Sequence, residues 1–186
     1  MVIRETGKKL GLNLSIQSSI SAEEELLLRR AARHIVECVN SEDFETFVLN
    51  YKYEYTVTTG SLWWKKYYKK CHEGFNWNDG KSNKDIYDSI MSGAESLREE
   101  VDNEIDIDLV VDRRNKRGVV GYTYPNSIKQ WVYSWVLRTD HYKVSGNLVH
   151  EWCHKLGYGH TYRYNSTREY TVPYAIGRYV SNWKRE

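Results

Sequence analysis

The chain has 186 residues and near-balanced charge, with 27 lysines and arginines against 25 aspartates and glutamates. That length suits one domain with its own core, and a net charge of +2 gives no electrostatic footprint for nucleic acid or an acidic membrane. Cys38, Cys71 and Cys153 are widely spaced with no CxxC pair, which argues against a disulfide framework, and no apolar run is long enough to span a bilayer.

In chain order, residues 1–20 read as an irregular N-terminal segment. The first nine lack the apolar core of a signal peptide. The expectation is a cytosolic protein, or a secreted one whose signal has been removed. Ser21-Ala22-Glu23-Glu24 then reads as a capping box opening a helix to about Val39. Leu28, Ala31, Ala32, Ile35 and Val39 form its buried side, and His34 is expected to be exposed or hydrogen-bonded. From 44 to 58, Tyr51, Tyr53, Tyr55 and Val57 alternate with Lys52, Glu54, Thr56 and Thr58, the period of a strand.

Residues 63–70, Trp-Trp-Lys-Lys-Tyr-Tyr-Lys-Lys, mix rings with cations. Such a mixture holds single-stranded nucleic acid, and it equally suits a short amphipathic segment with its lysines in water. Cys71-His72 offers a latency ligand for a metal, and residues 74–80 read as a surface turn region. Sixteen tyrosines and seven tryptophans suit clefts and recognition surfaces as well as ordinary strands.

A second helix is expected after Ser82, with Ile86, Ile90, Gly93, Leu97 and Val101 inward. Residues 104–111 alternate as a strand, which puts Asp106 and Asp108 on its wet face. Further strands are expected over 119–124 and 130–138. Pro173 opens a closing helix carrying Tyr174, Ala175, Ile176, Tyr179, Val180 and Trp183.

Between those last two elements lies His150-Glu151-Trp152-Cys153-His154-Lys155-Leu156-Gly157-Tyr158-Gly159-His160, which spells H-E-x-x-H-x-x-G-x-x-H. On a helix, His150 and His154 share a face and can present two imidazoles to one metal ion. Glu151 sits about 100° round, close enough to reach a metal-bound water without being a ligand. Gly157 falls where the helix should end in a left-handed residue, so the chain can turn back and bring His160 in as third ligand. Three protein ligands with an open fourth position is the arrangement of a catalytic zinc site. At about one in twenty per position, five fixed positions coincide roughly once in three million starting points. Ser145 is the expected N-cap, and Val149, Trp152, Cys153 and Leu156 form an apolar stripe opposite Asn147, His150, Glu151 and His154.

This motif resembles that of the metzincin clan of zinc-dependent metallopeptidases, closely over residues 147–160 and loosely elsewhere. The resemblance implies an α+β zinc-protease fold of one domain over 1–186. That fold has a mixed twisted sheet, two long helices including the zinc helix, and an extra N-terminal helix. An upper subdomain over 21–157 and a small lower one over 158–186 would flank the substrate cleft. The resemblance further implies Zn2+ on His150, His154 and His160, Glu151 as catalytic base, and an edge strand over 118–124 to which a peptide could pair. Metzincins also carry a methionine in a turn beneath the zinc. Here Met1 and Met91 both lie upstream, and Val172 stands at the corresponding place. Some members have a tyrosine two residues on, which matches Tyr174, a candidate oxyanion donor or a residue that only packs the helix start.

The expected function is therefore zinc-dependent hydrolysis of a peptide bond in a peptide or protein substrate, by a monomer with no membrane partner. Two alternatives stand beside it. One is a zinc-containing binding or toxin-like module, and the other a nucleic-acid-associated protein using residues 63–70.

Overall fold

The computed structural model describes residues 1–59, 66–71, 81–98, 101–114, 116, 118–124, 126–160 and 166–185, with 54–59, 66–71 and 166 as backbone. The fold is α+β. In order it runs β1 (Val2–Glu5), β2 (Gly11–Ile16), α1 (Ala22–Val39), α2 (Glu42–Asn50), β3 (Glu54–Thr59), β4 (Lys66–Cys71), α3 (Asn83–Ser92) and β5 (Glu104–Asp112). Then follow β6 (Gly121–Thr123), β7 (Lys129–Tyr133), a 3-10 turn Val136–Arg138, α4 (His141–Lys155), a second 3-10 turn Ser166–Tyr170 and α5 (Val172–Asn182).

Five strands form one mixed sheet in the order β1-β2-β5-β7-β6, and β3 pairs with β4 as a separate hairpin. The central strands β2, β5 and β7 are parallel, while the outer strands β1 and β6 are antiparallel to their neighbours. Leu12, Leu14 and Ile16 of β2 and Ile105, Ile107, Leu109 and Val111 of β5 are buried on alternate positions. They face the layer made by α1 and α4, and α5 packs on α4.

The capping box of α1 is present: Ser21 Oγ accepts from Glu24 N–H, and the Glu24 carboxylate accepts from Ser21 N–H. All five residues expected on its inner side are buried. His34 is also buried, and its Nε2 lies 2.8 Å from the Val180 carbonyl. Hydrogen bonding, not exposure, is its state.

Several expectations need correction. Residues 1–20 are not irregular, because Ile3, Leu10, Leu12, Leu14 and Ile16 alternate into the core and make β1 and β2. Residues 44–50 are helix and not strand. Ser41 caps Phe44 N–H at 3.1 Å, and Phe44 and Val48, four apart, are fully buried. Glu42, Asp43 and Glu45 sit in that first turn, where carboxylates favour the helix N-terminus. Gly93 ends α3 with φ 65°, so Leu97 and Val101 lie outside the helix and are 47% and 62% exposed. The strand expected over 130–138 stops at Tyr133 and gives way to the 3-10 turn. Asp106 and Asp108 are not a wet face, since both meet Arg98, at 3.6 and 3.1 Å, and Asp106 also accepts from Asn13. Residues 63–65 and 74–80 and His72 fall outside the described residues, as do the side chains of 66–71. Among the described residues, no helix is long and apolar enough to cross a membrane.

The position of α5 is set by two glycines. A Cβ on Gly146 would stand 2.5 Å from the Gly177 carbonyl oxygen and 2.6 Å from Ser181 Cβ. One on Gly177 would stand 2.7 Å from the Gly146 oxygen. The two backbones therefore touch, and no side-chain rotation could relieve an added methyl. Gly146→Ala should force the helices apart and cost about 1–3 kcal/mol. Urea unfolding would read this as a lower midpoint, and an unchanged midpoint would contradict the contact.

Candidate metal centre

α4 is a helix with two jobs. Val149, Trp152, Cys153 and Leu156 are buried on one side, as their spacing requires. Trp152 Nε1 donates to Glu95 Oε1 at 2.5 Å, and the same oxygen accepts from Asp106 N–H at 3.0 Å. This ties the back of α4 to the sheet. The helix starts one turn earlier than Ser145 suggested. Asp140 is the N-cap, accepting from Lys143 N–H at 2.8 Å, and Ser145 Oγ instead donates to the His141 and Ala31 carbonyls.

The other end is closed by a Schellman motif. Gly157 is left-handed with φ 94°, its N–H bonds the His154 carbonyl, and Tyr158 N–H bonds that of Cys153. Tyr158 is buried, with its hydroxyl 2.7 Å from Ser89 Oγ on α3. This turn brings His160 back to the helix.

His150, His154 and His160 converge, with one nitrogen from each within 4.8 Å of the other two. The Nε2 atoms of His150 and His160 are 3.2 Å apart. Around a tetrahedral zinc with bonds of about 2.0–2.1 Å, nitrogens stand roughly 3.3 Å from one another. The donor set fits a borderline-soft cation, and a small closure of the three rings is all that a zinc would ask. A second ring nitrogen of His154 and of His150 is held by a carbonyl. His154 Nδ1 lies 2.7 Å from the Tyr158 oxygen, and His150 donates to the Pro173 carbonyl at the start of α5. Each bond selects the tautomer that leaves the second nitrogen to ligate.

Burial and the neighbouring imidazoles hold His150 well below its ordinary pKa and bring His154 down to about 3. Both are therefore neutral at neutral pH, the form that binds metal. Burial pushes the Glu151 carboxyl up to about 8, against the pull of Lys155 and of a hydrogen bond from Asn147. A divalent cation beside it would lower that value.

These groups line a cleft of about 820 Å³ between α4, α5 and the outermost strand β6. The strand is fixed from below by α4. Asn147 fills the space where a Gly121 side chain would be, with Oδ1 only 2.6 Å from that Cβ position. Lys155, buried by the same helix, donates to Thr123 Oγ1 and to the Tyr124 and Ser127 carbonyls. Tyr174 lies edge-on to His150 and His160, with ring centroids 4.6 and 4.8 Å away, and its hydroxyl accepts from Arg168 at 2.7 Å.

All five residues singled out in the sequence, His150, Glu151, His154, His160 and Tyr174, thus line one cleft. Asn147, Lys155 and Arg168 were not given roles there. The first two stand four residues either side of Glu151, a spacing that places them on its face of the helix. Compared with known proteins, the chain matches no protein-family model, no curated protein and no solved structure.

The depressed pKa values have a consequence for stability. An unfolded histidine titrates near 6.5, so the stability that neutral His154 contributes is lost as pH falls from about 6.5 toward its folded value of about 3, outweighing with His150 the opposite trend of Glu151. Each such imidazole contributes up to about 1.4 kcal/mol per pH unit across that window. In protein stripped of metal by chelation, the urea midpoint should fall between about pH 6.5 and 4.5. His154→Gln should make the fall shallower. An equal slope in the two proteins would contradict the burial of a neutral His154.

Proposed function

We propose that this chain is a zinc-dependent metalloendopeptidase of metzincin-like build. The observation that carries the reading is the convergence of three imidazoles beside a non-ligating carboxylate, in an open cleft beneath a sheet edge. The five-stranded mixed sheet with an antiparallel strand at the cleft supports the same reading.

In this reading His150, His154 and His160 hold the ion through neutral imidazoles. Bound there, zinc supplies a Lewis acid that acidifies water and polarises a carbonyl. Glu151 accepts the proton of the attacking water and passes it to the leaving nitrogen. Asn147 holds that carboxylate in place by its amide hydrogen bond. β6 offers its outer N–H and C=O groups to an extended peptide, so the substrate is gripped by its backbone. Tyr174, standing against two of the three histidines, is the candidate donor to the oxyanion.

The test separates ligand from base. Native protein and Glu151→Ala should each bind one equivalent of zinc by elemental analysis, and His154→Ala much less. Only the native protein should cleave an unfolded protein substrate, with Glu151→Ala slower by at least about 100-fold. Equal zinc in native and His154→Ala protein would sink the site, and equal cleavage by native and Glu151→Ala protein the mechanism.

A further inference from the structure

Charge is shared unevenly around the cleft. The chain as a whole has nearly as many acids as bases, yet Lys116, Lys143, Arg168 and Arg178 line the cleft, and Glu151 is the one carboxylate among its described lining residues. Three of those cations come from separate stretches of the chain, and the contacts of their neighbours place them toward one end. Lys143 stands seven residues before His150 on α4, about 10 Å along the helix axis. Arg178 on α5 adjoins Gly177, whose backbone touches Gly146 one turn after Lys143. Lys116 leads into β6, whose first residue, Gly121, abuts Asn147. The opposite end of the cleft is where Lys155 is buried under Thr123 and Tyr124.

Little of the charge on Lys116, Lys143 and Arg178 is offset by carboxylates among the described residues. Lys143 lies over the Trp135 ring at 4.9 Å, and Asp140, the nearest acid in sequence, is engaged by Lys143's own N–H and by Arg185. Arg178 meets Glu169 at 3.7 Å, with side chains 73% and 52% exposed, a pair that water screens heavily. No carboxylate among the described residues pairs with Lys116 or Lys143. A cleft lined by one sign of charge concentrates field and favours ligands of the other sign.

An extended peptide advances about 3.4 Å per residue, so a chain lying along β6 would reach Lys143 roughly three residues from the three histidines. We propose that the cleft selects peptides with aspartate or glutamate on one flank, two to four residues from the bond under attack. This rests on the peptidase reading and adds the substrate class to it. β6 runs alongside α4, from Gly121 near Asn147 to Thr123 at Lys155. A substrate antiparallel to β6 would therefore present its C-terminal flank to the cations.

The test uses fluorogenic peptides with one shared core, carrying Asp and Glu or Asn and Gln on either flank. Zinc-loaded native protein is assayed for cleavage, and Glu151→Ala for binding by anisotropy. At about 50 mM salt, peptides acidic on one flank should be cleaved and bound about tenfold better than neutral ones, and the ratio should shrink toward one at about 500 mM. Lys143→Gln and Lys116→Gln should each reduce the ratio at low salt. Lys116 is exposed, so its variant reads the charge even if Lys143→Gln unfolds. Cleavage without preference would overturn the acidic-substrate proposal and leave the peptidase reading intact. Tighter binding of acidic peptides with no cleavage of any peptide would do the reverse. Displacement of acidic peptides by an oligonucleotide at lower concentration would overturn the peptide as ligand.

Discussion

Where α4 crosses α5, Gly146 and Gly177 leave no room for a side chain on either helix, and the two backbones meet. The candidate metal centre follows from that contact. One turn on from Gly146 is His150, and one turn back from Gly177 is Tyr174, so the same crossing lays the tyrosine ring against the first histidine. It also brings the Pro173 carbonyl to the His150 ring. The third histidine depends on the other end of α4, where left-handed Gly157 and buried Tyr158 reverse the chain. Two backbone constraints, one at each end of the cleft face of α4, thus hold together two histidines of that helix and one from the turn beyond it.

The cleft face of α4 is costly ground for polar groups. His154, Glu151 and Lys155 are all buried, and each would lose hydration without compensation. Compensation is local in each case. The Tyr158 carbonyl accepts from His154, the Asn147 amide donates to Glu151, and three oxygens of the β6–β7 connection surround the Lys155 ammonium. Burial brings Lys155 down to about 8 and moves Glu151 up to about 8, so the two groups pull each other back toward their charged forms. The lysine that relieves Glu151 is also the clamp on the sheet edge. A change at Lys155 therefore reaches both Glu151 and β6.

The site was more legible in the sequence than the fold was. Its motif is local, with four of its five fixed residues lying on or just past one helix, and helical geometry alone puts His150, Glu151 and His154 together. Tyr174 and His160 needed the crossing with α5 and the Gly157 turn, of which only the glycine can be read directly. The misreadings have physical causes. Residues 44–50 carry aromatic and β-branched types, but Ser41 as N-cap and Phe44 and Val48 four apart outweighed those preferences. The first twenty residues looked irregular because glycine and polar residues break them up, although Leu10, Leu12, Leu14 and Ile16 alternate without a gap. Asp106 and Asp108 looked solvated because their partner, Arg98, is remote enough that no local pattern links them. Asn147 and Lys155 were visible on the right face of α4, but their partners on β6 belong to tertiary structure.

A zinc K-edge absorption spectrum of protein loaded with one equivalent of metal bears most directly on this account. Cys153 lies on α4 next to His154 yet is fully buried on the opposite side, so sulfur should be out of reach of the ion. The expected spectrum shows about four nitrogen or oxygen neighbours at roughly 2.0–2.1 Å, with outer-shell scattering from imidazole rings. A sulfur neighbour at about 2.3 Å, or a six-oxygen shell without imidazole scattering, would contradict the three-histidine centre.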